Sequence, residues 1–185
     1  MSAVSTLSIQ PTSEIPCAPF KDAAWFAAQT RSRHERLVAY HLEARKILQY
    51  LPTVTETHIW TDRRKKVEIP LFPGYVFVCI NATNERRVEV LKTPGVVRLV
   101  GSNHGGTPIP AEQIDTIKTL IDRNLPWAPH PFLKSGQRVR VRGGALDGVE
   151  GIFVKRIGLE TLVISVDAIQ RSLCVSIQGY AVDVL

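Results

Sequence analysis

The stretch Leu71-Phe72-Pro73-Gly74-Tyr75-Val76-Phe77-Val78 carries two different structural signals in succession. Its Pro-Gly pair forces an irregular bend, because proline fixes one backbone angle and glycine adopts angles that a Cβ disfavours. The run 75–80 that follows is rich in β-branched and aromatic residues, which is typical of a buried strand. The sequence therefore predicts a tight bend that leads directly into a strand.

On the N-terminal side of this stretch, residues 24–29 predict a buried strand and residues 31–35 open a helical pattern. We expect that helix to continue to Leu51-Pro52, because proline cannot donate the next backbone hydrogen bond. Residues 53–60 and 67–69 predict two strands around a charged hairpin tip at 61–66. The apolar stripe expected on the helix consists of Leu37, Tyr40, Leu42, Ala44, Ile47 and Leu48.

On the C-terminal side, residues 81–91 predict a short helix and residues 96–100 another buried strand. A further helix is expected to start at Pro110, with proline and a carboxylate in its first turn. Its apolar face consists of Ile114, Ile117, Leu120 and Ile121. This order of elements predicts an α+β sandwich, with helices over a mostly antiparallel sheet.

The pattern changes after a stretch stiffened by Pro126, Pro129 and Pro131. Five short β-rich runs separated by turn signals follow, which predicts a small five-stranded β-barrel of the SH3-like type. The runs are 137–142, 151–157, 161–166, 173–177 and 180–184. The predicted regions are a flexible tail at 1–22, a sandwich domain at 23–124, a proline-rich linker at 125–132 and a barrel domain at 133–185.

Composition and local motifs limit the classes of function that are possible. Lys and Arg total 23 against 17 Asp and Glu, and this excess of positive charge suits an anionic partner without proving one. The three cysteines offer neither a disulfide framework nor a CxxC motif, and the five histidines match no zinc template. No secretion signal or membrane span is recognised. We therefore expect a cytoplasmic binding protein without a metal or cofactor.

Two basic clusters are candidate nucleic-acid contacts. One surrounds the first helix start, with Arg31 and Arg33, and the other lies at the hairpin tip. The second cluster consists of Arg63, Arg64, Lys65 and Lys66. Such groups neutralise phosphates and do not read bases. The alternative is a solvated face and a charged hairpin that protects a sheet edge.

The motifs of the first domain resemble those of the NusG family. Residues 71–78 resemble the signature of its N-terminal domain, and residues 25–35 resemble the opening strand and helix of that domain. Residues 93–97 and 108–110 match later segments of the same family. Each motif is weak alone, but their order and spacing make the resemblance specific.

In the second domain, residues 136–141 followed by 144–151 resemble a KOW motif. Ala145 stands where that motif usually carries proline. The turn glycines of this motif are Gly144, Gly148 and Gly151, and tight turns favour glycine because it lacks a Cβ. The resemblance to the NusG family then extends over residues 24–185.

The resemblance implies that the first domain docks on the clamp helices of the RNA polymerase β′ subunit through an apolar patch. Carried over by motif, the patch consists of Phe72, Pro73, Gly74 and Tyr75, with Trp25 either supporting it or lying in the core. Aromatic anchors suit such an interface because they bury a large area with few rotatable bonds. The alternative is that Phe72 and Tyr75 fill the interior of the domain.

By the same resemblance, upstream or non-template DNA passes near the basic residues, and the barrel meets termination factor Rho or a small-subunit ribosomal protein. The matching barrel positions are Leu146, Val149, Ile169 and Arg171, which could equally form the barrel core or rim. The implied protein is a monomeric transcription elongation and antitermination regulator, not an enzyme. Residues 50–53 and 60–66 resemble operon-specific antiterminators of the family. The competing interpretation is an RNA-binding or ribosome-associated KOW protein.

Overall fold

A computed structural model describes residues 23–59, 64–81, 83–101, 105–123, 127–130, 136–156, 159–177 and 179–185. The elements of the first domain are β1 (Ala23–Thr30), α1 (Glu35–Ala44), β2 (Leu48–Tyr50), β3 (Thr53–Ile59), β4 (Arg64–Pro70), β5 (Tyr75–Asn81), α2 (Asn84–Leu91), β6 (Val96–Leu99) and α3 (Ala111–Asp122). Those that follow are β7 (Trp127–His130), β8 (Gln137–Arg142), β9 (Glu150–Arg156), β10 (Leu159–Val166), β11 (Arg171–Ser176) and β12 (Ala181–Val184).

The first domain is built on a four-stranded sheet in the order β2-β5-β1-β6, with each pair antiparallel. One face of β1, including Phe26 and Ala28, packs with buried residues of α1 and α2. The other face, including Trp25 and Ala27, packs with the buried side of α3. Strands alternate their side chains between two faces, so both sides of this sheet are covered by helices. The predicted α+β sandwich is confirmed.

The first helix is shorter than the sequence predicts. It ends at Ala44, and Lys46 adopts a left-handed φ of 57°. The Lys46 N–H donates to the Glu43 carbonyl at 2.8 Å, and the Ile47 N–H donates to the Leu42 carbonyl at 3.0 Å. These two bonds form a Schellman motif, which ends a helix without a proline. Leu48–Tyr50 is therefore free to pair with β5 as a strand.

The apolar stripe predicted on α1 is also wrong in part. Leu37 and Tyr40 are exposed, Tyr40 to 68%. The buried residues of the helix are Glu35, Val38, Ala39 and Leu42. The early helix end removes Ile47 and Leu48 from the helical pattern, and the spacing 35, 38, 39, 42 then defines the inward face.

Strands β3 and β4 form a separate two-stranded hairpin. Arg36 on α1 ties this hairpin to the domain, because its guanidinium donates to the Glu68 carbonyl oxygen at 2.8 Å and to the Glu68 carboxylate at 3.1 Å. Both side chains are substantially exposed, so the ion pair contributes little to stability. It places Glu68 of the hairpin beside Arg36 of α1.

The second domain is an antiparallel β structure in the order β12-β8-β9-β10-β11-β7. Strands β8 to β12 correspond to the five predicted β-rich runs. The sixth strand, β7, comes from the stretch predicted as linker, and its Trp127 pairs with Val175 while His130 pairs with Ser172. The stretch between the domains thus adds a strand to the edge of the barrel sheet.

The turn that contains Gly144 and Gly148 has the backbone that its glycines predict. Gly144 and Gly148 have φ values of 63° and 81°. Gly151 differs, because close packing rather than a positive φ excludes a side chain there. A Cβ on Gly151 would lie 2.7 Å from the Val163 carbonyl oxygen.

The barrel domain contacts the first domain at α3. Gln113 donates to the Asp167 carboxylate at 3.2 Å and accepts from the Asp167 N–H at 3.4 Å. The Arg123 guanidinium donates to the Ala145 carbonyl oxygen. A short 3-10 helix at Asp167–Ile169 also contacts β1. The two hydrophobic cores meet along this contact, where a single cluster of buried residues includes members of both domains.

The sequence offered no disulfide framework, but one of the described cysteines is paired. Cys79 on β5 is disulfide-bonded, whereas Cys174 on β11 is a free cysteine. Across the described ranges, no helix is long and apolar enough to cross a membrane. In the same residues no group of three or more His, Cys, Asp or Glu side chains could hold a metal ion.

Candidate functional site

Three four-residue turns meet at the C-terminal end of β1. The Thr30 N–H donates to the Gly74 carbonyl and the Arg31 N–H donates to the Gly95 carbonyl, each at 2.8 Å. Each turn is closed by a hydrogen bond from its fourth N–H to its first carbonyl. We call residues 31–34, 72–75 and 93–96 the turn cluster. The three motifs that stood apart in the sequence therefore form one continuous surface.

The turn at 72–75 has the geometry of a type II turn. Pro73 occupies its second position, and Gly74 occupies its third with a φ of 86°. The Tyr75 N–H donates to the Phe72 carbonyl at 3.2 Å. Phe72 anchors the turn from below, since its ring packs edge-on against Phe77 with centroids 5.9 Å apart. The Pro-Gly pair predicted to bend the chain thus projects outward from an aromatic anchor.

The turn at 31–34 leads into α1. Arg33 adopts a left-handed φ of 61°, which is unfavourable for a residue with a Cβ. The His34 ring nitrogen Nδ1 lies 2.8 Å from the Ser32 carbonyl oxygen, and this contact helps to hold the turn. Arg31, Ser32 and Arg33 are all exposed. The turn therefore presents two guanidinium groups beside the turn at 72–75.

The residues predicted to contact RNA polymerase divide into two groups. Pro73 is exposed, and Gly74 and Tyr75 are half-buried. Phe72 and Trp25 are buried, with 4% and 2% of their surface exposed. Trp25 lies beneath α3, with Lys118 Nζ 5.5 Å from its ring centroid. Of the predicted patch, only the outer part of the turn reaches solvent.

The residues predicted to contact nucleic acid fall in two places. Arg31 and Arg33 belong to the turn cluster. The side chains of Arg64, Lys65 and Lys66 on β4 are not among those described, and Arg63 lies outside the described residues. The hairpin that carries the second cluster contacts α1 through Arg36 and Glu68.

The residues predicted to form the barrel's partner surface are mostly internal. Leu146, Val149 and Ile169 are buried, whereas Arg171 is exposed. The segments that carry the buried three lie next to the contacts between Arg123 and Ala145 and between Gln113 and Asp167. The buried three belong to a cluster that contains residues of both the barrel strands and α3.

Sequence reasoning missed two members of the site. Glu35 is 6% exposed, and one of its carboxylate oxygens accepts the Gly74 N–H at 2.7 Å. No local signal reveals this contact, because the two residues are 39 positions apart. The Pro94-Gly95 turn carried a signal, since its Pro-Gly pair repeats that of Pro73-Gly74. Its position beside the other turns depends on the pairing of β6 with β1.

Tyr50 lies on the sheet face below α3, and its pKa is raised there. Burial raises the pKa of Tyr50 well above its ordinary value of 10.0, and the nearby carboxylates of Asp122 and Asp115 raise it further. Its ring stacks on Phe77 with centroids 6.4 Å apart. Tyr50 is therefore a neutral packing residue at physiological pH, not an acid or base.

The fold defines the class of protein first: a two-domain chain with an α+β sandwich followed by a small antiparallel β domain. A family model described as "Transcription termination factor nusG" matches residues 23–118. The "Transcription termination/antitermination protein NusG" of Lactococcus lactis subsp. lactis is 32% identical over 175 residues, covering 88% of this chain and 93% of that protein. The protein of the same name from Streptococcus pyogenes serotype M3 is 33% identical over 147 residues, covering 72% of this chain and 81% of that protein.

Among solved structures, one titled "Domain interaction in Thermotoga maritima NusG" matches at 18% identity with a TM-score of 0.49, covering 84% of this chain and 93% of that chain. The sequence relatives and the family model together settle the assignment. The chain belongs to the NusG family of transcription factors. The resemblance recognised in its motifs is thereby confirmed.

Proposed function

We propose that this protein regulates transcription elongation by binding the clamp helices of RNA polymerase through the turn cluster, and that it suppresses pausing or termination. The observation that carries the proposal is the convergence of three turns on one exposed, hydrogen-bonded surface in a chain of this family. Such a surface is ordered before binding, so little conformational entropy is lost on docking. The protein makes and breaks no covalent bond in this role, and it acts in the cytoplasm as a monomer.

The burial pattern supports two different roles for residues of the predicted polymerase patch. Pro73, Gly74 and Tyr75 would touch the polymerase directly. Phe72 and Trp25 would act from below, by holding the turn and the sheet in place. A small apolar contact surface backed by buried aromatic side chains is well suited to rigid docking.

Nucleic acid would contact the basic side of the same surface. Arg31 and Arg33 are exposed next to the proposed polymerase contact. The cationic residues of the second cluster, Arg63, Arg64, Lys65 and Lys66, would add to this contact from the β3–β4 hairpin. Guanidinium groups at these positions would attract upstream or non-template DNA by its phosphates, without reading its sequence.

The barrel domain would recruit a second partner, either Rho or a small-subunit ribosomal protein. Arg171 is available for such a contact in the described arrangement, whereas Leu146, Val149 and Ile169 are buried beside α3. Recruitment through the apolar positions would therefore require these side chains to become exposed. Polymerase binding would not, since Pro73 is exposed while the domains are in contact.

Binding to purified core RNA polymerase and to ribosomes tests the proposal. We expect the wild-type chain to bind polymerase, and the variant Pro73→Glu/Tyr75→Ser to lose about tenfold or more in affinity, as for a binding hot spot. The matched control is Tyr40→Ser, which removes an exposed aromatic ring from α1 outside the turn cluster. Recovery with ribosomes alone would instead support an RNA-binding or ribosome-associated protein.

The direction of regulation needs a separate assay. Transcription of a long template with and without Rho should show increased readthrough when the protein is added. Enhanced termination would reverse the assignment as an antiterminator while leaving polymerase binding intact.

A further inference from the structure

We infer that Glu35 is a positioning residue, whose carboxylate holds the turn at 72–75 in its docking shape and links it to the turn that carries Arg31 and Arg33. The inference rests on the proposed function and adds a residue to it. Glu35 itself is buried, so it would act on a partner only through the groups it holds.

Both backbone polar groups of Gly74 are hydrogen-bonded. One carboxylate oxygen of Glu35 accepts the Gly74 N–H at 2.7 Å. On the other side of the same residue, the Gly74 carbonyl accepts the Thr30 N–H at 2.8 Å. Gly74 is therefore fixed through both of its backbone polar groups, one by α1 and the other by β1. The exposed Pro73 depends directly on this restraint.

Glu35 lies at the N-terminal end of α1. It is the first residue of α1, where the positive end of the helix dipole stabilises a negative charge. A hydrogen bond from a backbone N–H to a carboxylate is shorter and stronger than one between neutral groups. Charged side chains are seldom this buried without a partner, and the Gly74 amide supplies one.

Glu35 also connects the two kinds of contact proposed for the site. Its backbone continues directly from the turn at 31–34, while its side chain grips the turn at 72–75. A shift of α1 would thus move the arginines and the Pro-Gly turn together. Without the carboxylate, the polymerase contact and the nucleic-acid contact would lose their fixed spacing.

Three variants distinguish this positioning role of Glu35 from a general effect on folding. Glu35→Gln keeps a carbonyl oxygen that accepts the Gly74 N–H, Glu35→Met keeps the volume but removes the acceptor, and Glu35→Asp keeps the charge on a shorter chain. The matched control is Glu43→Met on the exposed side of the same helix. Amide exchange of Gly74 is measured by NMR in the free protein, and affinity for core RNA polymerase is measured alongside thermal unfolding.

We expect Glu35→Met to accelerate Gly74 exchange and to weaken polymerase binding about tenfold, in line with the loss of a charge-assisted hydrogen bond. Glu35→Asp should follow it in the same direction, and Glu35→Gln, which keeps the acceptor but loses the charge, should lie between Glu35→Met and the wild type. Should Glu35→Met fail to fold, Glu35→Asp supplies the same comparison.

Unchanged Gly74 exchange in the folded variants would show that Glu35 does not hold the turn. Faster exchange with unchanged polymerase affinity would show that the held shape is not needed for docking. Either result overturns the inference. A wild-type chain that fails to bind polymerase contradicts the proposed function instead, and Gly74 exchange in the free protein still reports on the contact itself.

Discussion

At the scale of the single residue, the burial of Tyr50 makes the stability of the protein depend on pH. Its ring stacks on Phe77, and Lys118 Nζ lies 5.8 Å from its centroid. Burial first, and then Asp122 and Asp115, raise the pKa of its hydroxyl above the ordinary value of 10.0. Folding therefore favours the neutral phenol, because ionising it would place a negative charge in a desolvated site beside two carboxylates.

The sign of the pH dependence follows from this shift. A raised pKa in the folded state gives stability that is complete below the unfolded pKa, and that declines as pH rises above about 10. We expect Tyr50→Phe, which keeps the ring, to show a smaller loss of stability between about pH 9 and about pH 11. Urea unfolding of both proteins across this range measures the difference. Parallel pH profiles would contradict the assignment.

At the scale of elements, the end of α1 decides how the first sheet is completed. The Schellman bonds at Lys46 and Ile47 release the chain for β2, although no glycine or proline marks the position. Lysine at a left-handed φ of 57° is strained relative to glycine, which adopts that conformation freely.

Lys46→Gly should therefore stabilise the protein by roughly 1 kcal/mol at most, after the extra chain entropy of glycine in the unfolded state is subtracted. The matched control is Lys92→Gly at the end of α2, where φ is −76° and glycine relieves no strain. That control should be neutral or destabilising. Equilibrium unfolding in urea compares the two, and equal effects would contradict the interpretation.

At the scale of the whole molecule, α3 packs in the first domain and also contacts the barrel. Ile114 and Ile117 pack in the first domain's core, while Gln113 and Arg123 reach the barrel. The hydrogen bonds across this contact are exposed, and each contributes about 1 kcal/mol. The arrangement is therefore held more weakly by its polar contacts than either domain is held by its own core.

We expect Gln113→Ala/Arg123→Ala to loosen the contact without unfolding either domain. NMR relaxation should then report shorter correlation times for the two domains, as expected when they tumble more independently. The matched control is Asp122→Asn, which changes an exposed residue of α3 that takes no part in the contacts with Asp167 and Ala145. Correlation times equal to those of the wild type would show that the apolar contact alone joins the domains.

Local patterns alone predicted much of this molecule. The Pro-Gly bend before β5, the inward face of α3 at Ile114 and Ile117, and the five strands β8 to β12 all follow from turn chemistry and side-chain periodicity. These features depend on neighbours within a few residues, so the sequence determines them. The family motifs could be recognised in the sequence for the same reason, because each of them is a short contiguous run of residues.

Only the tertiary structure decided which side chains face solvent and which turns meet. It buries Phe72 and Trp25, exposes Tyr40, and brings Glu35 to the Gly74 amide across 39 positions of sequence. It also turns Trp127–His130 into the sixth strand of the second domain's sheet. Strand pairing and burial are long-range, so no local pattern encodes them. The same alternation of apolar residues is compatible with several faces and several neighbours until the whole chain packs.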